Sequence, residues 1–226
     1  MHIAIIPDGN RRWARKRGLP DWKGHVYGVR TMEKILRKAL DMGIKYLTFY
    51  TFSMENLKKR PKLEKRHLFN LLEKKIKELA DDEEIHKRKV RVRFLGRIYR
   101  LPKKLREAIK YAEEKTKKYK KFFLNFCIAY DGRDEIVDAI REILRKGIKK
   151  VDRRVVKKHL YTRDIPSPDL IIRTGMKREK RLSAYLLWDS AYSEFYFTST
   201  YWPAFTPRMF EKAVEDLKRR ERRYGR

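Results

Sequence analysis

Acidic residues are scarce in this chain: 30 Asp and Glu stand against 60 Lys and Arg, a net charge of +30. Cysteine is nearly absent. The single Cys127 excludes an intramolecular disulfide framework and makes a reducing, cytoplasmic setting the expectation. No apolar run approaches the length of a membrane span, and the start does not read as a signal peptide. Met1 directly precedes the first apolar run, so no targeting extension is expected. There is no P-loop, no G-x-G-x-x-G, no H-E-x-x-H and no CxxC pair. His67, His86 and His159 lack metal-ligand spacing. Dinucleotide and zinc chemistry are therefore without support.

Three partners account for such a charge: nucleic acid, an anionic membrane surface, or a polyanionic small substrate. A charge-rich surface from a heat-loving source accounts for it equally, since 40% of residues are charged. The basic residues are spread along the whole chain, whereas a nucleic-acid module concentrates them on one motif. No specific nucleic-acid partner is expected, and a basic nucleic-acid-binding protein stands as the alternative of a different class.

Apolar β-rich runs recur at Ile3–Ile6, Tyr46–Thr51, Val90–Leu95, Phe122–Ala129, Leu170–Ile172 and Phe195–Thr198. Helical patterns separate most of them: Val26–Met42, Leu68–Ala80, Leu105–Lys117, Asp134–Leu144 and Phe210–Arg223. Gly43 and Gly147 read as stops for two of these helices. This alternation predicts an α/β fold with a mainly parallel sheet. No linker or repeat divides it, so one domain over 1–226 is expected. Residues 145–168 are basic, polar and hard to assign.

The first strand ends in Pro7-Asp8-Gly9-Asn10-Arg11-Arg12-Trp13. A carboxylate and several phosphate-binding groups thus stand at a strand's carboxyl end, where open α/β sheets bind ligands. Backbone N–H groups at a helix start receive anions, and Asp8 suits a magnesium ion beside the same anion. A second strand runs into Ser53, Glu55, Asn56 and Arg60; helix capping by Ser53 or Asn56 is the plainer reading. A third runs into Arg173-Thr174-Gly175, then the cationic stretch with Arg181 and Ser183, which alone is equally a solvated charge run. Arg forks onto phosphate oxygens bidentately. Glu194 opens the last strand after an aromatic-rich segment expected to be helical. His25 near a helix start reads either as a cap or as a phosphate or proton group.

Together these segments resemble the cis-prenyltransferase family. Three blocks carry the likeness: HIAIIPDGNRRWARKRG with Gly24-His25; TFSMEN with Arg60-Pro61; and DLIIRTG with RLSAYLLWDSAYSEFYFTSTYWPAF and RRERRYG. The resemblance implies a single domain with a mostly parallel central sheet surrounded by helices, an apolar tunnel below the phosphate sites, and a homodimer. It implies condensation of isopentenyl diphosphate with an allylic prenyl diphosphate to make a Z double bond. By motif, Asp8 matches the catalytic, magnesium-associated aspartate. Gly9, Asn10, Arg11 and Arg12 match the allylic diphosphate loop, with Trp13 beside it and His25 near the same diphosphate. Ser53, Glu55, Asn56 and Arg60 match the second motif, Asn56 falling on the residue proposed to help remove the proton. Arg173, Arg181 and Ser183 match the isopentenyl diphosphate pocket, and Glu194 the second magnesium carboxylate. A basic exterior also favours peripheral contact with an anionic membrane, at its inner face.

Four differences from the family pattern stand out. The 175–183 loop is about two residues longer, Ala184 replaces the usual Asn, Leu57 stands for a common Trp, and Asp21 stands where many members carry a phosphate-binding Arg. A carboxylate at position 21 is expected to repel a diphosphate. The remodelled loop keeps open prenyl transfer to another acceptor. A noncatalytic subunit is the remaining alternative, opposed by intact Asp8, Asn56 and Glu194. The tunnel walls are expected to include the Leu68–Ala80 stripe and alternate residues of Phe122–Phe126. A tunnel-facing Phe would cap its depth and give a short or medium product, unless these rings simply pack the core.

Overall fold

The structure is a computed structural model that describes residues 1–220 and, among them, every side chain but that of Asn56. The RRERRYG block and the end of the expected terminal helix therefore fall partly outside the described residues. Six strands, β1 (His2–Ile6), β2 (Tyr46–Ser53), β3 (Val90–Leu95), β4 (Phe122–Tyr130), β5 (Leu170–Arg173) and β6 (Glu194–Phe197), form one sheet ordered β3-β4-β2-β1-β5-β6. Every pairing is parallel. The chain leaves β1 toward β2 on one side and later fills β5 on the other. The β1–β5 boundary is therefore the topological switch point, where a crevice opens beyond the strands' carboxyl ends.

Alternation along β1 divides the interior. Ile3 and Ile5 belong to the larger core, and Ala4 and Ile6 to a smaller one on the opposite face. Helices α2 (Asp21–Asp41), α4 (Lys62–Asp81), α6 (Lys103–Thr116) and α9 (Pro207–Arg219) bury their apolar stripes in the larger core. In α4 the stripe is Leu68, Leu72, Ile76 and Ala80. The short helices α1 (Asn10–Arg15), α3 (Met54–Lys59) and α5 (Glu83–Lys87) link these elements. They are too short to show a period. Helix α7 (Gly132–Arg145) is capped by Asp131. Helix α8 (Arg153–His159), capped by Asp152, resolves the unassigned 145–168 region. Glu194 is preceded by turns rather than the expected helix. Among the described residues no helix is long and apolar enough to cross a membrane.

Candidate active site

Asp8 follows β1 directly, and its main chain is held at both ends. Its N–H reaches the Ile6 carbonyl at 2.9 Å and Thr174 Oγ1 at 3.0 Å, while Thr174 Oγ1 donates to the Asp8 carbonyl at 2.8 Å. Gly9 then turns into α1 with φ of 98°, the left-handed region that glycine enters without strain. A Cβ there would also lie 2.5 Å from the Tyr201 ring. Helix α1 is pressed onto α2 at Gly24, where a Cβ would stand 2.1 Å from the Asn10 carbonyl oxygen. The loop bearing Arg11 and Arg12 is thereby fixed over the crevice.

A cavity of about 980 Å³ opens there. Its walls carry Gly9, Asn10, Arg11, Arg12, His25, Ser53, Glu55, Arg60, Arg173, Arg181, Ser183 and Asp8. The three separate loops singled out in the sequence thus converge on one space. Seven arginines and three carboxylates line it, so the field inside favours a polyanion.

Each carboxylate oxygen of Asp8 meets a guanidinium: Arg12 Nη2 at 3.1 Å and Arg173 Nη2 at 2.9 Å. Arg173 is buried, and its Nη1 also donates to the Arg181 carbonyl at 2.6 Å and to Ser183 Oγ at 2.8 Å. Its Nε is buried without a partner. On the opposite wall, Arg60 Nη1 stands 2.9 Å from His25 Nε2 and 3.1 Å from Glu64. Burial pushes the His25 pKa below its ordinary value, Arg60 adding to the effect and Glu64 opposing it. Arg60 only donates, so Nε2 accepts in that contact, while the Glu64 carboxylate stands 3.5 Å from the same Nε2.

A second, apolar cavity of about 240 Å³ lies between α2, α4 and the sheet. The two cavities share Val29, Met32, Thr51 and Leu72, so they adjoin across these residues. Ile76 and Leu79 of α4 and Leu124 and Phe126 of β4 line the deeper part. Phe123 points to the other face and stacks on Tyr46 at 4.7 Å. An anion site over an apolar pocket fits a ligand with a charged head and a hydrocarbon tail.

Comparison with known proteins decides the family. Residues 6–225 match the prenyltransferase family model, which describes undecaprenyl diphosphate synthase. The chain belongs to the undecaprenyl diphosphate synthase, or cis-prenyltransferase, family. A relative from Methanocaldococcus jannaschii, named tritrans,polycis-undecaprenyl-diphosphate synthase (geranylgeranyl-diphosphate specific), is 50% identical over 99% of this chain and 82% of its own. A Methanopyrus kandleri protein of the same name is 49% identical, covering 100% of this chain and 84% of its own. Among solved structures, lavandulyl diphosphate synthase from Lavandula x intermedia, in complex with dimethylallyl diphosphate, superposes with a TM-score of 0.91. It is 35% identical, and the match covers 100% of this chain and 98% of that one.

Three residues depart from what the family likeness implied. Trp13 does not line the cavity: its ring packs 4.7 Å from Tyr27 beneath the Arg17 guanidinium at 4.2 Å. Glu194 stands level with Leu170, at the amino end of the sheet, while Asp8 lies beyond the carboxyl end. It pairs with Arg220 at 2.8 Å. Within one chain the two carboxylates do not share a metal. Asp21 does not repel from the cavity wall either; it is ion-paired with Arg11 and Arg15 at 2.8 and 2.7 Å. Asn56 lies in α3, with its side chain outside the described ones.

Asp131 and Arg133 also line the cavity and were not among the expected residues. Tyr130-Asp131-Gly132-Arg133 repeats the pattern of Ile6-Pro7-Asp8-Gly9, a strand end and an acid–glycine turn into a helix. That signal was present in the sequence.

Among the described residues no three His, Cys, Asp or Glu side chains gather in ligating reach of one metal. Magnesium needs no such cage. It keeps several waters and takes one or two carboxylates plus substrate phosphates. The half-exposed Asp8, among guanidiniums suited to phosphate, fits that donor set.

Proposed function

We propose that this protein condenses isopentenyl diphosphate with an allylic prenyl diphosphate and builds a Z-configured polyprenyl diphosphate, with magnesium as cofactor. The observation that carries the reading is the junction at Val29, Met32, Thr51 and Leu72 between the arginine-lined cavity and the apolar one. Both substrates have diphosphate heads and apolar tails.

In this reading Arg11, Arg12, His25 and Arg60 receive the allylic diphosphate, and Gly9 and Asn10 shape its loop. Ser53 and Glu55 complete that wall. Arg173, Arg181 and Ser183 receive the isopentenyl diphosphate. As the allylic C–O bond breaks, negative charge grows on the departing diphosphate, and prealigned guanidiniums stabilise it. The isopentenyl alkene attacks the allylic carbon and a neighbouring proton leaves; Asn56 is assigned its removal on the family likeness alone. Asp8 would hold magnesium, which when bound adds positive charge beside the phosphates. Leu72, Ile76 and Leu79 wall the tail's path.

The names of the archaeal relatives favour geranylgeranyl diphosphate as primer and an undecaprenyl product. The short or medium product expected from a tunnel-facing Phe stands against this, since Phe126 lines the apolar cavity while Phe122 does not. A homodimer is supported by the exposed Val137, Ile140 and Leu144 on one face of α7, and peripheral contact with an anionic membrane by the charge of +30.

The test is incubation with magnesium, labelled isopentenyl diphosphate and a panel of allylic diphosphates, with products resolved by mass, beside Asp8→Ala. Elongation by the wild type alone supports the reading. Transfer of the prenyl group to another acceptor, with no isopentenyl incorporation, overturns it.

A further inference from the structure

Asp21 is the first residue of α2, and its carboxylate is shared by two arginines of the preceding helix. Arg15 grips it with both hands of its fork, Nε to Oδ1 at 2.7 Å and Nη2 to Oδ2 at 2.7 Å. Arg11 donates Nε to the same Oδ2 at 2.8 Å. Hydrogen bonding from Arg15, joined by Arg11, holds the Asp21 pKa down to about 2, so the carboxylate is charged throughout the working range. It also sits at the positive end of the α2 dipole.

The geometry of this triad decides between attraction and repulsion. Arg11 and Arg15 line the wide cavity, whereas Asp21 does not. Asp21 takes the Nε atom of each. Both terminal nitrogens of Arg11 and Nη1 of Arg15 keep no hydrogen-bond partner among the described residues. Two cations against one anion leave the triad positive. A long arginine side chain otherwise loses much rotamer freedom when it is ordered, and two guanidiniums on one helical turn repel each other. A shared carboxylate removes both penalties before the ligand arrives.

We propose that Asp21 is a positioning residue for the diphosphate bound on the α1–α2 side of the cavity, holding Arg11 and Arg15 so that their terminal nitrogens meet phosphate oxygens. This rests on the phosphate-site reading above. It assigns to a carboxylate the place that other family members give to an arginine: the cation reaching phosphate comes from position 11 or 15, and position 21 aims it.

The test compares wild type with Asp21→Asn and Asp21→Glu. Binding of inorganic diphosphate is measured by calorimetry, and KM for the allylic and isopentenyl substrates is measured separately. Asp21→Asn is expected to raise the Kd for inorganic diphosphate and the allylic KM about tenfold, the value of one charge-assisted hydrogen bond. The isopentenyl KM and kcat move far less, and Asp21→Glu recovers part of the loss. In an Arg11→Ala, Arg15→Ala background the Asp21→Asn effect disappears. Unchanged or tighter binding by Asp21→Asn overturns the proposal, as does an equal loss in both KM values with a lowered melting temperature. If the wild type incorporates no isopentenyl diphosphate, the proposed function fails. The calorimetric difference still tests Asp21 on its own.

Discussion

Arg173 and Asp8 meet across the β1–β5 boundary, Nη2 donating to Oδ2 at 2.9 Å. The same guanidinium holds the Arg181 carbonyl and Ser183 Oγ. One buried side chain thus ties the loop after β5 to the carboxylate after β1. Lysine offers a single point charge in place of this fork. Arg173→Lys is expected to lower kcat/KM for isopentenyl diphosphate about a hundredfold, a loss typical of removing one prealigned donor. Steady-state rates decide it; a value within threefold of wild type refutes the linkage.

The close approach of α1 to α2 leaves no room at Gly24. A methyl group there would lie 2.1 Å from the Asn10 carbonyl oxygen and 2.7 Å from its carbon, both backbone atoms. Gly24→Ala is expected to destabilise the fold by about 2 kcal/mol, within the overpacking range. It should also weaken substrate binding, because relief requires α1 to move and α1 carries Arg11 and Arg12. Urea denaturation and the allylic KM are the measurements.

Leu79 lines the deep end of the apolar cavity and is only partly buried. It stands 11 residues beyond Leu68, about 16 Å along the helix axis. Leu79→Trp therefore places bulk far from the phosphates. The mass distribution of products should shift to shorter chains while the first condensation keeps its rate. Unshifted products would mean that the tail runs elsewhere.

His2 adds a histidine contribution to acid sensitivity. Its ring is buried between the Pro166 carbonyl and Thr48 Oγ1, each at 2.7 Å. Burial pushes its pKa down to about 4 from 6.5. Between those values the unfolded chain binds more protons than the folded one, so stability falls as pH falls. The contribution is whole above pH 6.5 and lost by about pH 4, a difference of roughly 3 kcal/mol. Urea midpoints at pH 7 and pH 4.5 should show the drop, and His2→Gln should flatten it.

Much of this architecture was legible beforehand. The six strands fall within one or two residues of the expected runs, because apolar stretches bounded by turn chemistry are local signals. Helix α2 begins five residues earlier than Val26, since Gly24 masks the periodicity that packing against α1 requires. Alternation in β4 holds for Leu124 and Phe126, which line the apolar cavity, and for Phe123, which faces away, but Phe122 does not line it. What escaped were relations between elements: Trp13 packing on Tyr27, Asp21 clasping two arginines, and Arg133 entering the same cavity from α7.

From the sequence alone came the order of strands and helices, the acid at the end of β1, and the three polar loops that close the crevice. These depend on short-range periodicity, turn residues and charge, which neighbouring positions specify. Only the tertiary structure decided which loops share an edge and which carboxylates stand apart. Glu194 shows why: strand order and register set it three residues behind Arg173, at the wrong end of the sheet for Asp8. Register is fixed by burial of whole sheet faces, a long-range property that no single segment carries.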